Sequence, residues 1–263
     1  MSATPVFDAL GDALHAARPV ALATVVDGPN VGAKLLVEPG VPPRGTLGDP
    51  DLDRVVARDA LGELESGLTS IRHYGPNGEA RADGVGIFIE SFARAPHMVI
   101  FGAVEFTAAL VKVAKVLGYR VTVCDARAVF ATVARFPMAD EVVSEWPDRY
   151  LAQVGGSLGP RDAVCVLTHD AKFDVPAIIG ALATRVGYLG AMGSRGTHAK
   201  RVARLQEEGV DDAALARVMA PIGLDIGSRT PEETAVAVCA EIIALRTGRV
   251  GAGPLRDGSG PIH

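Results

Sequence analysis

The stretch that decides the fold is VGYLGAMGSRGTHAKR, residues 186–201. Its apolar start, 186–189, predicts a strand end, its glycines predict a tight turn, and its basic run predicts a helix. The first turn of a helix has free N–H groups and a partial positive charge, so it favours anions. The stretch therefore predicts a phosphate or anion site that consists of Gly193, Ser194, Arg195 and Lys200. A simple helix cap flanked by solvated basic residues is the alternative.

Strands and helices alternate around this stretch. The sequence predicts strands over 97–101, 120–124 and 163–168, and helices over 104–117, 176–184, 198–208 and 231–246. Such alternation is typical of a parallel sheet with helices on both faces. We therefore expect an α/β protein with a Rossmann-like sheet in residues 95–249.

The first part of the chain lacks this regularity. It predicts strands over 20–26, 34–38 and 84–92 and helices over 4–19 and 49–67, which indicates a smaller α+β domain in residues 1–94. Residues 250–263 are rich in glycine and proline, and we expect this tail to be disordered.

Composition limits the classes of function. With 263 residues and 48% hydrophobic content, the chain can bury a full core. A net charge of −5 argues against nonspecific nucleic-acid binding, and no apolar run reaches the roughly 20 residues of a membrane span. No secretory signal is evident, and the three cysteines form no CxxC pair, so we expect a cytoplasmic protein with reduced thiols and no metal site.

A second glycine turn follows the strand predicted over 97–101. Gly102 and Ala103 begin a partial dinucleotide fingerprint, but Val104 stands where the second glycine would let the backbone approach a pyrophosphate. Asp125 lies 23 positions after Gly102 and is suited to a ribose diol, whereas Arg127 favours a phosphate. We therefore expect weak binding of NAD-type dinucleotides, and a strand–helix turn without a ligand is the alternative.

The third candidate is Thr168-His169-Asp170, at the end of the strand predicted over 163–168. An imidazole beside a carboxylate can serve as acid or base, and ligands bind at the carboxyl edge of such sheets. The sequence thus predicts catalytic roles for His169 and Asp170 and a binding role for Thr168. The alternative is that Asp170 caps the next helix. Gly102, Asp125, Thr168 and Gly190 are all expected at one edge of the sheet.

The C-terminal part resembles the Rossmann domain of the XdhC/CoxI family, the xanthine dehydrogenase accessory proteins. The matching motifs stand in family order along the chain. They are IFGA at 100–103, LGYRVTVCDAR at 117–127, RFPMADEV at 135–142, VLTHDAKFD at 166–174, GAMGSRGTHAKR at 190–201 and APIGLDIGSRTPEE at 220–233.

The N-terminal part is similar to the same family but diverges in its motifs. ALATVV at 21–26 and GAKLLV at 32–37 resemble two early strands of the family. The family's GSxPR turn is replaced by residues 27–30, and its GGGC-x-E segment by residues 48–53. Asp51 stands at the position of the family's cysteine.

The resemblance implies a molybdenum-cofactor chaperone that binds molybdopterin and supports maturation of a xanthine dehydrogenase-like hydroxylase. It implies a client hydroxylase, a cysteine desulfurase and a homo-oligomer as partners. An NAD(P)-dependent oxidoreductase and a noncatalytic nucleotide-binding sensor remain as alternatives.

Overall fold

The computed structural model describes residues 4–75, 79, 84–249 and 253–257. By their internal contacts, the residues form two compact units, Met1–Arg94 and Ala95–His263. Most of the tail predicted to be disordered, 250–252 and 258–263, lies outside the described residues. Each unit is described by itself below.

The first unit is a five-stranded antiparallel sheet with a helix on each face. In chain order its elements are α1 (Thr4–His15), β1 (Val20–Asp27), β2 (Lys34–Val37), β3 (Arg44–Thr46), α2 (Pro50–Ser66), β4 (Ser70–Tyr74) and β5 (Val85–Phe92). The strand order is β3-β2-β1-β5-β4. Side chains of β1 alternate between the faces, so Ala21, Ala23 and Val25 pack with α2 whereas Val20 and Leu22 pack with α1.

The second unit is a doubly wound parallel sheet. Its elements are β6 (His97–Phe101), α3 (Glu105–Val116), β7 (Arg120–Cys124), β8 (Glu141–Val143), α4 (Pro147–Val154), β9 (Ala163–Val166), α5 (Ala171–Leu182), β10 (Tyr188–Ala191), α6 (Arg195–Glu207), α7 (Asp212–Leu215), β11 (Val218–Met219) and α8 (Pro231–Arg246). The order is β11-β10-β9-β6-β7-β8, and every pair is parallel. The chain reverses its direction across the sheet between β6 and β9, which is the topological switch point where ligands bind in such folds.

Strand β6 lies in the middle of this sheet and is buried on both faces. Met98 and Ile100 belong to the core beneath α3 and α8, and Val99 and Phe101 to the core beneath α4 and α5. The sequence prediction of an α/β protein with a Rossmann-like sheet and a smaller α+β part is confirmed.

Three boundaries differ from the sequence prediction. Helix α5 begins at Ala171 rather than 176, because the Asp170 side chain caps it, and Pro176 lies inside the helix. Strand β10 is Tyr188–Ala191, so Gly190 is a strand residue and the turn follows it. Within the described part of the chain, no helix is long and apolar enough to cross a membrane.

The start of α8 provides a test of a local signal that was predicted from sequence. The Thr230 side chain accepts from the Glu233 N–H while Glu233 accepts from the Thr230 N–H, which forms a capping box with Pro231 next to it. We expect Thr230→Ala to lower the free energy of unfolding by about 1 kcal/mol, the usual cost of a lost cap. Thr230→Ser keeps the hydroxyl and should stay near the wild type in urea unfolding. Equal losses in both variants would show that the cap does not stabilise α8.

Candidate site at the carboxyl edge of the parallel sheet

The turn after β6 brings three strand ends together. Gly102 has φ +111°, and its N–H donates to the Cys124 carbonyl at 2.9 Å. A Cβ built on Gly102 would lie 2.8 Å from Thr168 Cγ2 and 3.0 Å from the Thr168 backbone nitrogen. Only glycine fits here, because both the φ angle and the close backbone exclude a side chain.

The expected edge is confirmed with one correction. Gly102 and Asp125 directly follow β6 and β7, and Thr168 lies two residues after β9, all at the carboxyl end of the sheet. Gly190 was expected in the turn, but it pairs with Cys165 inside β10. A Cβ there would meet Ile222 and Tyr188 at 2.5 and 2.8 Å, so this glycine serves packing.

Asp125 holds the turn in place. Its carboxylate is 3% exposed as a residue and accepts from the Ala103 N–H at 2.8 Å and from Arg127 Nη2 at 2.8 Å. The other oxygen accepts from the N–H and Nε of Arg127, both at 2.9 Å. Burial alone would raise the pKa of Asp125, but these hydrogen bonds outweigh it and lower the pKa below its ordinary value. The carboxylate thus links β7 to the β6 turn, and its binding role remains a prediction.

Arg127 is fixed on a second side by aromatic rings. Its guanidinium carbon lies 4.7 Å from the centroid of the Phe130 ring and 5.7 Å from that of Phe173. Trp146 lies against Phe173, with ring centroids 5.1 Å apart. The arginine side chain remains 42% exposed, so it can still contact a ligand at this edge.

His169 and Asp170 do not form a pair. Asp170 is the N-cap of α5 and accepts from the Lys172 N–H and from Lys172 Nζ, each at 3.1 Å. His169 is exposed and has no hydrogen bond within the described residues. The capping alternative therefore holds for Asp170, and catalytic roles for these two residues remain predictions.

The start of α6 has the geometry that the sequence predicts. Ser194 is the N-cap, and its hydroxyl accepts from the Thr197 N–H at 3.1 Å. Gly193 has φ +140°, which turns the chain from β10 into the helix. Arg195 and Lys200 are exposed, and neither makes an ion pair or hydrogen bond in the described part of the chain. Lys200 is five residues, about 140° around the helix, from Arg195, so the two cations point in different directions.

A buried ion pair beneath α6 was missed by the sequence analysis. Arg201 Nη2 donates to Asp174 Oδ2 at 2.8 Å and to the Met192 carbonyl at 2.7 Å, and both charged side chains are at most 5% exposed. The Thr168 hydroxyl donates to the same carboxylate. This network connects α6, α5 and the end of β9. No spacing rule reveals it, because Asp174 and Arg201 are 27 residues apart.

The three thiols are unsuited to nucleophilic chemistry. Cys124, Cys165 and Cys239 are all buried. Burial raises the pKa of Cys124 to about 12 and that of Cys239 to about 11, so both are protonated at neutral pH. Within the described ranges, no group of three or more His, Cys, Asp or Glu residues could hold a metal ion.

The Asp174–Arg201 pair yields a stability prediction. Arg201→Met leaves a buried carboxylate without its cation, and we expect a loss of about 3–5 kcal/mol in the free energy of unfolding. The double variant Arg201→Met/Asp174→Asn removes both charges and keeps an acceptor for Thr168, so it should recover most of the loss. Urea unfolding of both variants measures this. A double variant no more stable than the single one would contradict the pairing.

Asp125 predicts a pH dependence of stability. The folded pKa is below the unfolded value of roughly 4, so the ionised form contributes stability that is complete above pH ~4 and is lost as pH falls through the folded pKa. We expect Asp125→Asn to be less stable at neutral pH, and the difference from wild type to shrink at acidic pH. Unfolding free energies from neutral to strongly acidic pH test this, and parallel curves would contradict it.

Comparisons with known proteins agree with this architecture. A model described as the XdhC Rossmann domain matches residues 98–242, and one described as the XdhC and CoxI family matches residues 13–75. A solved structure titled as a xanthine dehydrogenase from Bacillus halodurans superimposes with a TM-score of 0.53 at 19% identity, covering 94% of this chain and 97% of that one. At this identity the likeness shows the fold alone.

Curated relatives carry related names. A protein of Bacillus subtilis, named as one of the probable subunits of xanthine dehydrogenase, is 32% identical over 61% of this chain and 46% of its own length. The molybdenum cofactor insertion chaperone PaoD of Escherichia coli is 30% identical over 38% of this chain and 31% of its own length. The chain thus spans less than half the length of these relatives. Because the Rossmann-domain model alone covers more than half of the chain, this protein belongs to the XdhC and CoxI family.

Proposed function

We propose that this protein is an accessory protein that binds the molybdenum cofactor and supports the maturation of a xanthine dehydrogenase-like molybdenum hydroxylase. Membership of the XdhC and CoxI family supports the accessory role. Two relatives, one named as a molybdenum cofactor insertion chaperone and the other as part of a xanthine dehydrogenase, point to the same process.

The observation that carries the proposal is the start of α6. Ser194 caps the helix, Gly193 turns the chain into it, and Arg195 adds an exposed cation without a partner in the described residues. The phosphate of molybdopterin is a dianion, and free N–H groups with an adjacent guanidinium fit it. Lys200 adds long-range charge and reaches back over more than one turn.

The other end of the ligand lies in this proposal near Arg127. The exposed part of its guanidinium, together with Gly102, Ala103 and Thr168, forms the rim of the same sheet edge. The clamp by Asp125 fixes the guanidinium in one orientation before any ligand arrives, which lowers the ordering cost of binding. The bound cofactor carries the redox chemistry, and the protein holds and orients it.

Sulfuration in this proposal depends on a partner. The thiols of this chain are buried, those of Cys124 and Cys239 are protonated, and Asp51 at the family's cysteine position has no sulfur. A cysteine desulfurase would therefore supply the sulfur, and the client hydroxylase would receive the finished cofactor. We also propose that the protein acts as a homo-oligomer in the cytoplasm.

Two observations weigh against an NAD(P)-dependent oxidoreductase. Val104 caps α3 with a side chain where a dinucleotide site needs backbone. The Asp125 carboxylate accepts four hydrogen bonds from its own chain, so its oxygens are occupied by protein donors rather than directed at a ribose. Neither observation concerns a noncatalytic sensor, which differs from the proposed chaperone only in not delivering the ligand.

The role of α6 is tested by single substitutions. We expect Arg195→Ala to weaken binding of purified molybdopterin by about tenfold to a hundredfold, because a hydrogen bond to a charged group contributes roughly 1.5–3 kcal/mol. Lys200→Ala should matter less, since it lies on another side of the helix. Arg204→Ala, an exposed arginine in the last turn of α6, is the matched control.

Affinity is measured by fluorescence titration, with a thermal melt for each variant. The melts should hardly change, because these side chains are exposed and without partners in the described residues. Unchanged affinity in both Arg195→Ala and Lys200→Ala would reject the phosphate site. A lowered melting temperature in Arg195→Ala would assign that residue a structural role instead.

A further inference from the structure

The first unit contains a cavity that the proposed function does not use. Its volume is about 630 Å³, within the roughly 300–1,000 Å³ range of small-molecule sites. The walls come from the start of α1, the β1–β2 loop, strands β2 and β3, and Gly48 after β3. All of these belong to one compact unit.

The cavity is positively charged. Lys34 and Arg44 line it, and none of the described lining residues carries a carboxylate. Arg44 is exposed and makes no ion pair or hydrogen bond in the described part of the chain. Lys34 Nζ donates to the Thr24 hydroxyl at 3.2 Å and also has no ion pair there. Two uncompensated cations in a recess favour an anion, since the low-dielectric walls strengthen their field.

Tight backbone packing shapes the polar wall. Gly45 has φ +94°, and a Cβ on it would collide with the Lys34 carbonyl oxygen. Gly48 has φ +106°, and its Cβ would collide with the Asn30 side-chain amide. Neither position accepts a side chain, so β3 and Gly48 stay against β2 and the β1–β2 loop. The opposite wall, Pro5 and Val6, is apolar.

From this cavity we infer a second ligand site, for an organic anion that carries a phosphate group. Lys34 and Arg44 bind the phosphate, and the apolar wall packs against the organic part. The volume is many times that of a bare oxyanion, so the organic part contributes to affinity. The site is independent of the edge of the parallel sheet, because all its residues lie in the other unit.

The test uses the full-length chain and two-dimensional amide NMR spectra. The probes are phenyl phosphate, inorganic phosphate and phenol, so that the ester, the free oxyanion and the neutral ring are compared. We expect phenyl phosphate to shift the amides of Lys34, Gly45 and Gly48 and to bind more tightly than inorganic phosphate. Phenol alone should cause no shift.

Substitutions connect the shifts to the cations. Arg44→Gln should weaken phenyl phosphate binding at these amides about tenfold or more, and Arg44→Glu should abolish it. Arg54→Gln on α2 is the matched control, since it removes the same charge from a side chain that is 71% exposed and outside the cavity. The thermal melt should be unchanged in all three variants, because Arg44 has no partner to lose among the described residues and the Arg54 ion pair is fully exposed to screening.

Four results would overturn the inference. They are an absence of shifts in the first unit, shifts confined to the start of α6, equal weakening by Arg44→Gln and Arg54→Gln, and inorganic phosphate binding as tightly as the ester. Arg195→Ala separates this site from the proposed function. It should leave the shifts at Gly45 and Gly48 intact, whatever its effect on molybdopterin.

Discussion

The approach of Gly102 to the backbone of Thr168 is the constraint on which the carboxyl edge depends. With the built Cβ only 3.0 Å from a backbone nitrogen, any other residue would force β6 and β9 apart at their ends. The same turn aligns the Ala103 N–H with Asp125, so one glycine fixes the relative positions of β6, β7 and β9. The topological switch point thus becomes a narrow edge with little freedom to rearrange.

Charges near α6 divide into two kinds because of where each lies on the helix. Arg201 points inward and is neutralised by Asp174, so removing one of the two leaves the other buried and unpaired. Arg195 and Lys200 point into solvent and have no partner in the described residues. A partnerless exposed cation contributes little to folding and is free to bind an anion, whereas the inward pair holds the helix that carries it.

Local signals predicted much of this fold, and long-range pairs did not follow from them. Helices α2 and α8 were predictable because Asp49 and Thr230 are strong caps followed by proline, and the central strands because they are continuous apolar runs. Strand β3 was missed because it is short and exposed throughout, with no alternation to detect. The Asp125–Ala103 and Asp174–Arg201 contacts depend on sheet order, which no residue spacing encodes.

The distribution of thiols limits what this chain contributes to cofactor maturation. A sulfur carrier needs an accessible thiolate, because the thiolate is the nucleophile. Cys124 and Cys239 are buried with raised pKa values, and Asp51, in the first turn of α2, is an exposed carboxylate. What the described residues do offer is a rigid sheet edge, oriented donors and unpaired cations. These groups can bind an anionic cofactor and present it, so in the proposed role the covalent steps belong to the partner enzymes.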